Sequence, residues 1–240
     1  MTPPRRARFL AGILLILASW PAAAWVPESR VRMIDEAVRF MPPSLRIALE
    51  GHRKELLRGV LEPMKTEDAP EHKAPAMGGT LDKAVADEAG RLSEILSGKT
   101  KFPKIAEQFG RLAHYVLDTG FPPGVTTEGD GRYHHFGKFC DSRRERFPLV
   151  FYGHDNERLA DGDYRAYALE VIERSTQNDR QLAEIYARDA GHSHTSNFDD
   201  RSVPFAVGSI AYSRSINDIV RVWLSVWEQA GGDVGRTPYK

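Results

Sequence analysis

Histidines are the side chains of this sequence best suited to chemistry, and one of them has a well-placed acidic neighbour. His114 and Asp118 lie four residues apart in the string RLAHYVLDTGFPP. Residues at this spacing share one face of a helix, so both side chains can reach one point. An imidazole and a carboxylate that meet there suit a divalent ion such as zinc. The same spacing is also typical of a simple helix ion pair.

A second histidine lies among acidic residues in a segment rich in proline and glycine. His72 shares this segment with four carboxylates, which are Glu62, Glu67, Asp68 and Glu71. One histidine among carboxylates resembles a metal-binding segment, but a solvated polar loop has the same composition. Loops positioned by a rigid scaffold often carry functional residues.

Two adjacent histidines follow a second loop. His134 and His135 come shortly after Glu128 and Asp130. Adjacent histidines rarely bind one ion through both rings, so we expect at most one of them to be a ligand.

The remaining histidines carry weaker signals. His192 and His194 form an H-x-H string near two aspartates, a pattern found both in metal sites and in surface loops. His52 and His154 have the sequence surroundings of ordinary polar positions.

The elements that must position these side chains are predicted to be helices. Apolar residues at helical spacing predict helices at about residues 29–41, 44–61, 80–97, 103–118, 134–146, 163–189 and 203–230. Two loops, 62–79 and 119–133, interrupt them. No extended alternating pattern indicates a strand, so we predict an all-α fold. The His114 and Asp118 face differs from the apolar stripe of the same helix, which predicts a central helix packed on several sides.

The N-terminus has the three parts of a secretory signal peptide. Arginines precede an apolar run at residues 9–20, and the small residues Ala22 to Ala24 follow. We therefore predict that residues 1–24 are removed, leaving a single domain at 25–240 that begins with Trp25 and is periplasmic or secreted. An uncleaved anchor is the alternative, but the apolar run is shorter than the roughly 20 residues that a spanning helix needs. No later segment is apolar enough to span a membrane.

The net charge and the cysteine content limit which kinds of protein this chain can be. The chain has 33 basic and 33 acidic residues. Loss of Arg5, Arg6 and Arg8 leaves a formal net charge of −3, so there is no basic excess of the kind that marks a dedicated nucleic-acid binder. The single cysteine, Cys140, excludes an internal disulfide and is expected to pack as a small apolar side chain. The sequence does not indicate an oligomeric state.

The chain resembles the zinc-dependent phospholipase C and single-strand nuclease superfamily in three features. These are Trp25 at the predicted mature N-terminus, the string HYVLD and the string FPP. The resemblance extends over most of the mature chain in its helix order and loop positions. It implies a helical fold of the phospholipase C type with up to three zinc ions. It also implies hydrolysis of phosphodiesters or phosphomonoesters by a metal-bound hydroxide.

The resemblance implies a set of zinc ligands in this chain. One ion would be held by two histidines and two carboxylates, which are Glu62, His72, His114 and Asp118. Trp25 matches the tryptophan whose amino group and carbonyl bind a further ion in the family. His135, or its neighbour His134, matches a ligand of the remaining ion.

Three departures put the other two ions in doubt. Arg30 stands where the family has a histidine, Gly124 where another histidine is expected after FPP, and Lys138 or Phe139 where a glutamate is expected. Protonated arginine and lysine have no lone pair to give to a metal. The resemblance therefore predicts one surviving zinc ion, or two, with Arg30 and Lys138 supplying charge to clamp a phosphate. Asp118, or one of the acids of the second loop, would transfer the proton.

Three functions remain open at this point. The first is an exported zinc-dependent hydrolase of phosphate esters, with a lipid, a small molecule or a nucleic acid as substrate. The second is a non-catalytic relative with one structural zinc that acts as an extracytoplasmic binding module. A closed shell of four protein ligands would favour this second function, because catalytic zinc keeps one position for water. The third is a helical protein without metal. Phe121 and Tyr133 fit either a ligand surface or loop anchors.

Overall fold

The computed structural model describes residues 25–188 and 198–240, except for the side chains of Glu128 and Asp130. The predicted signal peptide and the His192 and His194 string lie outside the described residues. Helices and short 3-10 turns make up the regular structure of these two ranges, which contain no strand. The prediction of an all-α fold is confirmed.

Nine α-helices are found in the described ranges. The α-helices of the described ranges are α1 (Pro27–Arg39), α2 (Pro43–Gly51), α3 (Arg53–Leu61), α4 (Leu81–Ser97), α5 (Phe102–Thr119), α6 (Asp130–Arg143), α7 (Glu157–Ala160), α8 (Tyr164–Arg188) and α9 (Val203–Gln229).

Two predicted boundaries were wrong. The segment 44–61 is not one helix, because the chain breaks at His52, whose φ of −124° and ψ of 31° lie outside the helical region. Gly51, a weak helix former, ends α2 directly before this break. Helix α6 begins at Asp130, earlier than expected, and uses residues assigned to the second loop.

The first loop is more ordered than its composition indicates. It folds into three 3-10 turns, Glu62–Thr66, Pro70–His72 and Pro75–Met77, each with a proline at its first or second position. Proline suits these positions because its φ is already helical and its missing N–H would have no partner there. Two backbone hydrogen bonds, Thr80 N–H to Pro70 O (2.7 Å) and Leu81 N–H to Lys73 O (3.0 Å), fasten the loop to the start of α4.

Helix α5 lies at the centre of the helices, as its two distinct faces predicted. Its apolar stripe is buried, and so are His114 and Asp118 on another face. Helices α3, α4 and α9 all pack against it. On the α9 side, the Trp223 indole N–H donates to Phe109 O at 3.0 Å. The metal-binding candidates of α5 are therefore held inside the core.

Helices α3 and α5 cross at two glycines. A Cβ atom on Gly59 would overlap the backbone of Glu107, and a Cβ on Gly110 would overlap the backbone of Leu56. The two helices approach this closely only because neither residue has a side chain. This crossing also sets the distance from Val60 at the end of α3 to His114 on α5.

Replacing Gly110 with alanine is expected to lower the free energy of unfolding by about 1–3 kcal/mol or more, because the added methyl group meets backbone rather than a movable side chain. Urea unfolding measures the change. Gly90→Ala is the matched control: Gly90 is an exposed glycine inside α4 with open space around it, so this substitution should be neutral or stabilising. Equal unfolding midpoints for both variants would contradict the role assigned to the crossing.

Phe121, Tyr133 and Cys140 act as packing groups. Phe121 is fully buried, and its ring packs edge-on against Trp25 with 5.1 Å between centroids. Tyr133 packs against Phe121 on another side. Cys140 is a free, fully buried cysteine, and burial raises the pKa of its thiol.

Among the described helices, including the long α9, none has the apolar length that a bilayer-spanning segment needs.

Candidate metal centre

Two histidines and one aspartate converge between α5 and the first loop. One nitrogen of His72, one nitrogen of His114 and one carboxylate oxygen of Asp118 all lie within 4.8 Å of one another. His72 Nδ1 is 2.8 Å from Asp118 Oδ2, and His114 Nε2 is 3.2 Å from each of these two atoms. The sequence analysis predicted these three residues and Glu62 as ligands of one ion, and the structure places the three beside one another.

The backbone selects the nitrogen that His114 presents to the cluster. His114 Nδ1 lies 2.7 Å from Val60 O. A carbonyl oxygen only accepts hydrogen bonds, so Nδ1 carries the proton. Burial lowers the pKa of His114 and favours the neutral ring. The Nε2 atom therefore bears a lone pair that is directed at the other two members of the cluster.

Asp118 is a charged carboxylate inside the protein. Burial opposes its charge, but the Arg30 guanidinium and the hydrogen bond from His72 keep its pKa well below the usual range. Its two oxygens have different partners. Oδ1 accepts a 2.6 Å hydrogen bond from the Arg30 guanidinium, whereas Oδ2 lies beside the two imidazoles.

This donor set fits a divalent metal ion. In the absence of a metal ion, the lone pair of His114 Nε2 faces the ionised Oδ2 of Asp118. A proton on His72 Nδ1 can form a good hydrogen bond with only one of these two acceptors. A metal ion would satisfy all three atoms at once. Zinc bonds of 2.0–2.1 Å in a tetrahedral shell place neighbouring ligand atoms about 3.3 Å apart. The observed separations of 2.8–3.2 Å are close to this spacing.

Glu67 is a functional candidate that the sequence analysis did not single out. Both of its carboxylate oxygens are buried and have no hydrogen-bond partner among the described residues. Burial raises the pKa of Glu67 to about 7, against the opposing effect of Arg30. The charges of Asp118 and His72 also act on it, so it lies close to the cluster. The only sequence signal was its membership of the acidic loop, which it shares with three other carboxylates.

Another unsatisfied atom belongs to the cluster itself. His72 Nε2 is buried without a hydrogen-bond partner in the described structure. Buried polar atoms are normally paired with protein or with ordered water. Together with the two unpaired oxygens of Glu67, His72 Nε2 indicates a polar site that can receive a ligand or water.

Several residues assigned from the resemblance lie elsewhere. Glu62 is exposed at the start of the first 3-10 turn, where it pairs with Lys65 at 2.9 Å, and it is not part of the cluster. His135 lies on α6, with Nδ1 2.6 Å from the Tyr186 hydroxyl. Lys138 is an exposed residue of the same helix. The structure brings none of these three to the cluster, because the loop and α6 direct them away from it.

Arg30 and Trp25 border the centre without acting as its ligands here. Arg30 is completely buried. Its Nε donates to Trp25 O at 2.8 Å, and one of its terminal nitrogens donates to His114 O at 3.3 Å. The remaining terminal nitrogen holds Asp118. The guanidinium therefore faces the protein interior, and this placement argues against a direct phosphate clamp.

Comparisons with known proteins support the fold rather than a family. No protein-family model matches the chain, and no curated protein matches it in sequence. Among solved structures, the chain is similar to the alpha toxin from Clostridium absonum, with a TM-score of 0.61 and 15% sequence identity. The likeness extends over 90% of this chain but only 65% of the toxin chain. This protein therefore has the helical fold found in that part of the toxin.

Proposed function

We propose that this protein is a zinc-dependent hydrolase of phosphate esters. The observation that carries the proposal is the number of converging ligands. Three protein atoms, from His72, His114 and Asp118, meet at the candidate centre, and Glu62 does not join them. Three protein ligands leave one position of a tetrahedral shell for water or substrate, as in catalytic zinc sites. The sequence resemblance to the zinc-dependent phospholipase C and nuclease superfamily supports the same chemistry.

The charges around the centre favour an anionic substrate. A divalent ion together with Arg30 outweighs the negative charges of Asp118 and Glu67. The loaded site would therefore have a net positive charge in a buried setting, where Coulomb attraction is strong. A phosphate ester is an anion that such a site would attract. The same positive charge would also favour hydroxide. A zinc ion held by His72, His114 and Asp118 would lower the pKa of water to about 7 and would supply hydroxide at neutral pH.

Glu67 is the residue that we assign to proton transfer. It is the carboxylate next to the cluster that is not held by an ion pair or a hydrogen bond. A general base works best when its pKa is near the working pH, and burial raises the pKa of Glu67 to about 7 in the metal-free protein. In the proposed reaction Glu67 accepts the proton of the attacking water and returns one to the leaving oxygen. Asp118 instead serves as a metal ligand.

Burial of the cluster favours a second candidate function. His72 is 8% exposed and Asp118 is 5% exposed, so substrate reaches them only if the structure around them opens. A metal at a closed site would stabilise the fold without catalysis, which is the binding-module alternative. The three-ligand shell favours catalysis and the burial favours a structural role. Metal content and turnover together distinguish the two.

Export is the setting that we propose for this activity. It rests on the basic, apolar and small-residue parts of residues 1–24. The substrate would be a lipid or other small phosphate ester, or a single-stranded nucleic acid, met outside the cytoplasm.

The decisive experiment uses protein secreted with its own first 24 residues. N-terminal sequencing is expected to find Trp25 first, and elemental analysis is expected to find zinc. We expect turnover of phosphodiester, phosphomonoester or phospholipid substrates, and its loss on chelation and in His114→Ala. The matched control is His52→Ala, because His52 is partly exposed and lies away from the cluster. Circular dichroism verifies that each variant folds.

The outcomes separate the candidates. Zinc without turnover of any of these substrates would support the structural role, and absence of zinc from folded protein would refute both. Retention of residues 1–24 in secreted protein would contradict the proposed cleavage site alone.

A further inference from the structure

Arg30 is the most deeply buried basic side chain of the metal centre, and the proposed reaction gives it no bond to the metal or the substrate. It has no exposed surface, and it lies on α1, far from α5 in sequence. Its four contacts converge on the metal centre: the carbonyl of Trp25, the carbonyl and Nδ1 of His114, and Oδ1 of Asp118. A buried arginine in such contacts fixes the geometry of its neighbours, because its donors form a rigid planar fork.

The contact with Arg30 gives the two carboxylate oxygens of Asp118 different partners. Oδ1 is held by the guanidinium at 2.6 Å, and Oδ2 faces the two histidine nitrogens. A carboxylate held in this way binds a metal through one oxygen only. The guanidinium also fills the space between Trp25 O and Asp118 with a fixed positive charge, and this charge repels a second divalent ion there.

We propose that Arg30 is a positioning residue that presents Asp118 to the metal through Oδ2 alone and limits the centre to a single divalent ion. This inference rests on the proposed metal site, but it makes a separate claim. The hydrogen-bonded partners of metal ligands orient those ligands, and their loss typically weakens metal affinity about 10- to 100-fold. Simple repulsion between Arg30 and the metal would have the opposite consequence, since its removal would then tighten binding.

The test is a competition titration of the full mature chain with Zn²⁺, read out as ions per chain and as dissociation constant. Arg30→Met removes the charge and the donors at similar length, and we expect about 10- to 100-fold weaker binding. Arg30→Lys keeps the charge and loses the fork, so we expect a smaller weakening. Arg32→Met is the control, because Arg32 lies on the same helix and pairs with the exposed Glu145. Circular dichroism checks folding, and Arg30→Lys serves if Arg30→Met does not fold.

Each outcome bears on the inference in a different way. One ion per wild-type chain, with weaker binding in the Arg30 variants and unchanged binding in Arg32→Met, supports it. Unchanged or tighter binding in a folded Arg30 variant overturns it and leaves the proposed hydrolase intact. More than one tightly bound ion in the wild-type chain also overturns it. A wild-type chain that binds no zinc overturns both proposals.

Discussion

Replacing Asp118 with alanine is expected to abolish tight zinc binding and to lower the free energy of unfolding of the metal-free protein by about 3–5 kcal/mol. The large effect on stability follows from the arginine that the substitution leaves without its partner. Arg30 is completely buried, and Asp118 is its acidic partner at 2.6 Å. The substitution leaves that charge inside the protein without compensation. It also removes the hydrogen-bond partner of His72 Nδ1.

The control for this prediction is another arginine and aspartate pair at the surface. Arg53 and Asp35 form two hydrogen bonds of 2.8 Å each, but both side chains are well exposed. Exposed pairs of this kind contribute only about 0–1 kcal/mol. Asp35→Ala should therefore be mild in urea unfolding, and it should leave zinc binding unchanged. Equal losses of stability in Asp118→Ala and Asp35→Ala would contradict the assignment of a buried, uncompensated charge.

A double substitution separates the charge effect from lost packing. If Asp118→Ala destabilises because Arg30 is left unpaired, then removal of Arg30 as well should restore part of the stability. Residues in direct contact commonly show such non-additive effects of about 0.5–3 kcal/mol. We therefore expect the Arg30→Met and Asp118→Ala double variant to be more stable than the sum of the single changes. Strict additivity would mean that the two side chains act independently.

The parts of this centre that lie on one helix could be predicted from the sequence. The spacing of His114 and Asp118 places both on one face of α5 by the geometry of a helix alone. The separate apolar stripe then requires that α5 pack on several sides, as it does. Periodicity is a local property of the chain, so it was sufficient for these residues.

The loop ligands could not be chosen in the same way. Four carboxylates share the first loop, and the resemblance selected Glu62 among them. In the structure Glu62 faces solvent and pairs with Lys65, whereas Glu67 is turned inward. The choice is made by successive 3-10 turns and by the hydrogen bonds that fasten them to α4. No periodic pattern in the sequence reports these turns.

The role of Arg30 also depends on distance along the chain. Its acidic partner lies 88 residues away, and its helix meets α5 only after the fold has formed. In the sequence, Arg30 is a cation at the position where the family has a metal-binding histidine, and this was interpreted as a phosphate clamp. Its complete burial instead turns it toward the metal ligands. Contacts of this range are decided by helix packing, which one sequence without its fold does not reveal.

Replacing Glu67 with glutamine is expected to lower the turnover of phosphate esters by about 10²- to 10⁴-fold, the usual contribution of general acid–base catalysis. Glutamine keeps the shape of the side chain but cannot accept the proton. Zinc content should stay at the wild-type level, because Glu67 is not one of the three clustered ligands. Steady-state kinetics and elemental analysis on the same samples measure both quantities. The matched control is Glu62→Gln, which changes an exposed carboxylate of the same loop and should leave turnover unchanged.

The pH dependence of stability gives an independent test of the same residue in metal-free protein. Burial raises the pKa of Glu67 from 4.5 to about 7 in the folded state. Between these values the folded state binds more protons at this position than the unfolded state does, so stability falls as pH rises. Glu67→Gln removes this contribution. The stability of wild type relative to Glu67→Gln should therefore decline from pH 4.5 to about 7 and stay level outside that window. His114 is common to both proteins, so its opposite contribution cancels in the difference. A flat difference across the window would show that Glu67 is solvated and ionised, and it would remove the basis for its role as the base.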